Sequence, residues 1–362
     1  MTFNDVLEIK NGRNQKAVEN PDGRYPIYGS GGIIGHSDDY ICEAGTVIVG
    51  RKGSINNPIF VGEPFWNVDT AFGLTAKKDV LLPRYLYYFC MHFDFERLNK
   101  AVTIPSLTKS DLLKIEILLP DLNEQQNVVD KLQEVERIML LHQEAITKLD
   151  EIIKARFVEM FGDPDTNSKR WPERLLSEML DVLGGYAFKS DGFSEVDGIP
   201  VLRIGNINAG FFKPVNMVFW KEDRNLERYI MHPGDLVMSL TGTVGKDDYG
   251  NVCILGNDYS KYYLNQRNAK LELKEGLNKY YLSQLLRFEK IKKRLTGISR
   301  GVRQANISNR DILGLKVPIP SIELQQQFSS FVAQVDKSKS VVQKSLDKMQ
   351  LLFDSLMQQY FG

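Results

Sequence analysis

Two stretches of the chain carry apolar residues in a heptad pattern, with steps that alternate between four and three residues. Eight of ten seam positions are apolar in the first stretch and nine of ten in the second, which begins 200 residues later. They are Val128, Leu132, Val135, Met139, His142, Ile146, Leu149, Ile153, Arg156 and Met160, then Phe328, Val332, Val335, Lys339, Val342, Leu346, Met349, Phe353, Leu356 and Tyr360. This pattern is typical of helices that supercoil around a partner helix. It predicts two long helices, over residues 121–162 and 321–362.

Outside these stretches the pattern changes to short apolar runs separated by turn signals. Runs such as residues 46–49 and 200–204 are typical of strands. Clusters such as Pro21-Asp22-Gly23 are typical of turns. The sequence therefore predicts two strand-rich domains, over residues 1–120 and 172–320, and a polar linker at 163–171. The expected fold class is α+β.

The chain also repeats itself. Residues 106–126 align without a gap with residues 306–326, at an offset of 200. Residues 43–54 resemble 232–243 at an offset of 189, and residues 82–88 resemble 277–283 at an offset of 195. Framework elements therefore repeat, while the loops between them differ in length. This indicates two copies of one scaffold, each of which recognises a different target. We expect the two helices to pack on each other as a spacer; a structural hairpin inside a larger helical protein is the alternative.

The composition is that of an ordinary globular protein, with 43% hydrophobic and 25% charged residues among 362. No apolar run approaches the ~20 residues of a membrane span, and the N-terminal residues do not resemble a secretory leader. Three widely spaced cysteines, Cys42, Cys90 and Cys253, fit a reducing compartment. We therefore expect a cytoplasmic protein without a membrane partner.

Charge is balanced over the chain, with 46 basic and 46 acidic residues, but segment 287–303 holds seven lysines and arginines against the single acid Glu289. A solvated helix face is the ordinary explanation of such a run. Nucleic-acid contact is the alternative, because the run leads into Arg303 and Gln304, whose side chains suit guanine and adenine edges. The residues that we expect to contact DNA are Arg51, Lys52, Ser54, Arg203, Asn206, Thr243, Lys246, Lys292, Lys293, Arg300, Arg303 and Gln304.

The motifs of catalysis are not recognisable in the sequence. The glycine clusters at 29–32 and 241–246 do not match a phosphate loop. We interpret them as tight turns, with close approach to a DNA phosphate as the alternative. The string Asn57-Pro58-Ile59-Phe60 lacks the second proline of a methyltransferase tetrapeptide, and the four histidines do not have the spacing of metal ligands. We expect no catalytic, cofactor-binding or metal-binding residue on this chain.

The repeated motifs resemble those of the specificity (S) subunits of type I restriction–modification systems. The resemblance rests on the doubled helix entries at 118–126 and 318–326, on GGYAFKS (184–190), SLTGTVGK (239–246) and LNQRNAKLEL (264–273), and on the FGDP junction at 161–164. It covers essentially the whole chain.

The resemblance implies that residues 1–120 and 172–320 are target-recognition domains, each of which reads half of a bipartite site in double-stranded DNA. The helices would form an antiparallel coiled coil with a pseudo-twofold internal repeat. Two methyltransferase (M) subunits would dock on the chain and methylate an adenine in each half-site, and two restriction (R) subunits would add cleavage. S-adenosylmethionine, ATP and Mg would be bound by those partners, and this chain would be a recognition subunit without enzymatic activity.

Two other functions fit the same residues. The first is a recognition subunit of a type IIB-like restriction system, which would have a fused methyltransferase–nuclease as its gene neighbour. The second is a coiled-coil scaffold that joins two β-rich domains for binding protein or carbohydrate, and it would show no DNA affinity even with partner subunits present.

Overall fold

The computed structural model describes residues 1–99, 104–207, 210–243, 248–296 and 304–362. The chain forms two compact units. Unit 1 comprises Met1–Ala145 and Val342–Gly362, and unit 2 comprises Ile146–Val341. The long helices run from Leu122 to Phe161 and from Ile322 to Phe361, where the heptad pattern predicts them. Each unit therefore contains part of both long helices.

Unit 1 contains a four-stranded antiparallel sheet and a three-stranded sheet. Its strands are β1 (Leu7–Asn11), β2 (Tyr25–Gly29), β3 (Gly32–Ser37), β4 (Thr46–Gly50), β5 (Ile59–Val61), β6 (Trp66–Asn67) and β7 (Ala71–Ala76). Its helices are α1 (Phe3–Val6), α2 (Pro83–His92), a 3-10 helix (Phe95–Leu98), α3 (Lys109–Leu112) and the first part of α4 (Leu122–Phe161). The strand orders are β1-β7-β4-β5 and β3-β2-β6, and β2 pairs with β6 in parallel.

Strand β4 lies inside the larger sheet and is buried at all five positions. Successive side chains of a strand point to opposite faces of the sheet. Val47 and Val49 pack in the same apolar cluster as Tyr85 of α2. Ile48 packs in a separate cluster with Phe65. Both faces of the sheet are therefore covered here, which explains why the three central residues of β4 are all apolar rather than alternating with polar ones.

Unit 2 contains two four-stranded sheets and two short ribbons, β14-β18 and β19-β8. Its strands are β8 (Glu173–Leu175), β9 (Leu180–Gly184), β10 (Ile199–Leu202), β11 (Val218–Trp220), β12 (Ile230–Met231), β13 (Leu236–Ser239), β14 (Thr241–Thr243), β15 (Val252–Ile254), β16 (Tyr262–Leu264), β17 (Asn268–Leu273), β18 (Gln304–Asn306) and β19 (Lys316–Pro318). Its helices are α5 (Leu176–Met179), α6 (Lys279–Leu286), α7 (Glu289–Thr296), α8 (Asn309–Leu313) and part of α9 (Ile322–Phe361), with 3-10 helices at Ser190–Gly192, Ile204–Asn206 and Arg224–Tyr229.

The antiparallel sheet of unit 2 has the strand order of that in unit 1, and the other sheet matches in three strands and has β12 as a fourth. The antiparallel sheet is ordered β9-β17-β13-β15, and the other sheet is ordered β11-β10-β16-β12, with β10 and β16 parallel. The two units therefore share the order of four antiparallel strands and of three strands of their second sheets.

A buried glutamine ties the entry of α4 to unit 1. Gln125 is fully buried. Its Oε1 accepts a hydrogen bond from the Leu82 backbone N–H at 2.8 Å, just before α2. Its Nε2 donates to the carbonyl oxygens of Val80 and Pro120, each at 2.9 Å. One side chain thus satisfies three backbone groups of the turn before α2 and of the segment that leads into α4.

Gln325 makes the same set of contacts in unit 2. Its Oε1 accepts from the Asn278 N–H at 2.8 Å, and its Nε2 donates to the oxygens of Gly276 (3.1 Å) and Pro320 (2.9 Å). Asn278 precedes α6 as Leu82 precedes α2, which is an offset of 196. The offset of 195 taken from the sequence in this region is therefore wrong by one residue.

Residues of the heptad pattern are buried where the long helices pack in the core of each unit. Leu132 is fully buried in unit 1, and Phe328 in unit 2. Within unit 2, Phe157 lies 5.4 Å from Phe328 between ring centroids, and Asp150 pairs with Lys339 at 2.6 Å. The two helix segments of unit 2 therefore pack side by side and run in opposite directions.

No helix in the described part of the chain combines the length and the apolar character needed to cross a membrane.

Candidate nucleic-acid interface

The start of the glycine-rich segment of unit 2 forms a two-stranded ribbon with Gln304–Asn306, which directly follow the basic segment 287–303. In this ribbon Thr241 pairs with Asn306 and Thr243 with Gln304. The backbone N–H of Thr243 donates to Asp248 Oδ1 at 2.8 Å. The ribbon therefore brings together two segments in which the sequence predicts DNA contacts. Lys246, Arg300 and Arg303 lie outside the described residues, as does the side chain of Gln304.

Unit 1 has an equivalent edge. Lys52 forms a bridge with Ser106, and the Leu107 N–H donates to the Arg51 carbonyl at 2.9 Å. The matching bond in unit 2 runs from the Ile307 N–H to the Leu240 carbonyl at 2.8 Å. By the sequence offset of 189, Ser54 of unit 1 is the residue equivalent to Thr243 of unit 2.

The side chains at the edge of unit 1 are exposed on a fixed backbone. Arg51, Lys52 and Ser54 are exposed. The Arg51 N–H donates to the Thr70 carbonyl at 2.8 Å, and the guanidinium lies 5.7 Å from the ring centroid of Phe72. A Cβ on Gly50 would lie 2.2 Å from the Ser54 carbonyl oxygen, so this turn requires glycine. Whether these exposed side chains touch DNA stays a prediction.

The glycine cluster of unit 1 forms a tight turn. Gly29 and Gly32 pair across the β2–β3 hairpin, and Gly32 has a φ of 125°. The interpretation as a turn is confirmed for residues 29–32. Part of the second cluster, 241–246, lies outside the described residues, and Thr241–Thr243 form β14.

Arg203 and Asn206 have different positions in unit 2. Arg203 is exposed, and its guanidinium donates to the carbonyl of Asn216, a residue with a φ of 50°. Asn206 is 2% exposed. Its Oδ1 accepts from the Arg203 N–H at 2.9 Å, and its Nδ2 donates to the Val215 carbonyl at 2.9 Å. A buried amide with these partners cannot present its edge to a base, so the structure argues against the predicted base contact of Asn206.

In α7, the helical part of the basic segment, Lys292 is buried and Lys293 is exposed. Lys292 of α7 is 8% exposed, and its Nζ donates to Asn251 Oδ1 at 2.6 Å. This buried position argues against the predicted DNA contact of Lys292. Lys293 is exposed and pairs with Glu289 at 2.5 Å. For α7 the ordinary explanation, an amphipathic helix with a solvated face, is the better one.

A cleft of about 430 Å³ opens beside Arg203. Its lining includes Phe188, Asn216, Asn265, Gln266 and Arg267. Residues 264–273 carry part of the family resemblance, but their sequence was not predicted to form a binding site. The signal was present, because Asn, Gln and Arg stand in a row between two strand-like runs and all three suit base edges.

One tyrosine and two cysteines have a pKa that burial raises. Burial raises the pKa of Tyr249, whose hydroxyl donates to the Thr296 carbonyl at 2.6 Å. Burial also raises the pKa of the Cys42 and Cys253 thiols to about 12, so both stay protonated at neutral pH. Among the residues that the structure describes, no group of His, Cys, Asp or Glu side chains is arranged to hold a metal ion.

Residues 1–151 and 168–349 match the family described as the type I restriction modification DNA specificity domain. The chain is 24% identical over 327 residues to the type I restriction enzyme MjaVIII specificity subunit of Methanocaldococcus jannaschii, covering 85% of this chain and 73% of that protein. It is 21% identical over 349 residues to the EcoBI specificity subunit of Escherichia coli, covering 87% and 72%.

Solved structures share the fold. The type I S subunit of M. genitalium superposes with a TM-score of 0.59 at 18% identity, covering 100% of this chain and 95% of that one. A chain from a study of complex assembly and conformational transition of the type I restriction–modification system gives a TM-score of 0.53 at 16% identity, with coverages of 100% and 96%.

Proposed function

The chain belongs to the type I restriction–modification DNA specificity family, and from this premise we propose that its two units read the two halves of a bipartite target in double-stranded DNA. The observation that carries the proposal is the equivalent edge of each unit, built by residues 51–54 in unit 1 and 240–243 in unit 2. One framework with different exposed side chains suits two different half-sites, because base-edge contacts specify sequence.

In this proposal α4 and α9 form one antiparallel coiled coil that fixes the spacing of the half-sites. Support comes from the opposite directions of the helix segments in unit 2 and from the apolar seam. Each helix has 40 residues, which corresponds to about 60 Å at ~1.5 Å per residue. This exceeds one turn of DNA, ~34–36 Å, the spacing at which two readers meet the same face of the duplex.

The proposal includes partner subunits that carry the chemistry. Methylation of an adenine within a duplex requires the base to be flipped out of the stack, which favours a methyltransferase subunit over each half-site. Exposed leucines on the helices of unit 1 support such docking, since Leu140 is 60% and Leu351 69% exposed. S-adenosylmethionine would bind to the methyltransferase subunits, and ATP and Mg to two restriction subunits.

The proposal is tested by mapping modified adenines genome-wide. One host expresses this chain with its neighbouring methyltransferase gene, and a second host expresses the methyltransferase alone. We expect a split motif with a fixed gap only in the first host. The same modification in both hosts would mean that the chain does not direct it, and the scaffold alternative would then be favoured. A neighbouring gene that fuses methyltransferase and nuclease would favour the type IIB-like alternative.

A further inference from the structure

We propose that the turn Asn265–Arg267 reads bases in the half-site of unit 2, with Gln266 and Arg267 as specificity-determining residues. This inference rests on the proposed function and deepens it, because it assigns base readout to particular side chains. The turn connects β16 to β17 and lines the cleft beside Arg203.

The backbone of the turn is fixed by bonds to three neighbouring segments. The Gln266 N–H donates to the Tyr186 carbonyl at 2.8 Å, and the Arg267 carbonyl accepts from the Leu240 N–H at 2.8 Å. The Arg267 N–H donates to Asn265 Oδ1 at 3.2 Å. The next residue, Asn268, is buried, and its Nδ2 donates to the Leu202 carbonyl at 2.8 Å. A turn held in this way positions its side chains without a further loss of backbone entropy on binding.

The side chains of Gln266 and Arg267 are exposed on this fixed backbone. Neither forms a hydrogen bond or an ion pair with another residue of the described ranges. Two other basic residues of unit 2 are engaged: the half-exposed Lys261 pairs with Glu222 at 2.6 Å, and the exposed Arg294 donates to the Lys316 carbonyl at 2.6 Å. Gln266 and Arg267 therefore keep their full donor sets for a ligand.

The surroundings favour base edges over phosphate alone. Arg267 is joined through Leu240 to the β14 edge, and Asn268 is joined through Leu202 to Arg203, so the turn lies between two places where the sequence predicts DNA contact. The cleft is concave and has Phe188 in its lining. A neutral glutamine contributes nothing to neutralising a phosphate, whereas glutamine and arginine pair bidentately with adenine and guanine.

The experiment uses the complex of the full chain with its methyltransferase subunits. Arg267→Ala, Arg267→Lys and Gln266→Ala are compared with the wild type by adenine mapping and by binding to a duplex that carries the wild-type motif. The control is Lys274→Ala, which removes one exposed charge just beyond the opposite end of β17, where Lys274 pairs with Asp181 at 2.9 Å.

We expect Arg267→Ala to lose a base requirement in one half-site, to leave the other half-site unchanged, and to bind the wild-type duplex about 10- to 100-fold more weakly. Arg267→Lys keeps the charge but loses the rigid planar donor pair of the guanidinium, so it should weaken the same base requirement. Gln266→Ala should relax a position in that same half-site. Lys274→Ala should match the wild type in motif and affinity.

An unchanged motif in Arg267→Ala and Gln266→Ala would overturn the inference. This includes the case in which Arg267→Ala binds all sequences uniformly more weakly with a lower salt dependence, since that result identifies a phosphate contact. These outcomes leave the proposed function intact, because the wild-type complex still methylates a split motif. A wild-type complex that directs no split motif overturns both proposals.

Discussion

At the scale of single residues, position on a helix face separates side chains that the sequence presents as equivalent. Lys292 and Lys293 are adjacent in the basic segment and were both predicted to contact DNA. Lys292 turns inward to Asn251 beside the buried Leu295, whereas Lys293 lies on the solvent side. A buried ammonium group that keeps a hydrogen-bond partner contributes to stability, and an exposed ion pair contributes little.

We therefore expect Lys292→Ala to lower the free energy of unfolding by about 1–3 kcal/mol, because Asn251 loses a charged partner in the interior. Lys293→Ala should change it by less than about 0.5 kcal/mol. Urea unfolding of both variants measures the difference. Equal and small changes in stability, together with weaker DNA binding by Lys292→Ala, would restore the original prediction for Lys292.

At the scale of elements, the entries to the two long helices are fixed by the same device. Gln125 and Gln325 each connect the segment that leads into a long helix to the turn before a shorter one. The adjacent glutamines, Gln126 and Gln326, are exposed. In each copy of the Gln-Gln motif, the first glutamine is buried and bonds to the backbone, and the second lies on the surface.

Gln325→Ala should lower the free energy of unfolding by about 2–3 kcal/mol, since it leaves three backbone groups without their partner in a buried site. Gln326→Ala is the matched control, with the same residue type one position along the helix, and should leave stability unchanged within about 0.5 kcal/mol. Thermal and urea unfolding of the two variants measures both values. A Gln325→Ala variant as stable as Gln326→Ala would show that the buried hydrogen bonds do not hold the helix entry.

At the scale of the whole molecule, both units contain a four-stranded antiparallel sheet with the same strand order, and each long helix contributes residues to both units. A continuous helix has a fixed rise per residue. If α4 and α9 together set the spacing of the half-sites, as proposed, their length sets the gap in the DNA target.

Duplication of seven residues in both helices, after Ala145 and after Val341, keeps the heptad seam in register. It should lengthen the pair by about 10 Å and widen the gap of the target by about three base pairs, with both half-sites unchanged. Adenine mapping with the methyltransferase partner measures the gap. The same insertion in α4 alone should abolish methylation, because the seams no longer match. An unchanged gap with both insertions would contradict the role of the helices as a spacer.

The sequence alone was sufficient for the long helices and the family, because these depend on local periodicity and on ordered motifs. A heptad pattern is a property of neighbouring residues, so it predicted α4 and α9 without knowledge of their partners. The repeat offsets of 189 and 200 also match structurally equivalent residues, such as Arg51 and Leu240.

Only the tertiary structure decided which polar residues are available at the candidate interface. Asn206 and Lys292 are buried, and the turn with Gln266 and Arg267 lines a cleft beside Arg203. The physical reason is that exposure and hydrogen bonding depend on residues far apart in the chain. Lys292 meets Asn251 across two elements, and Asn206 closes a loop that ends at Val215, so no local pattern carries this information.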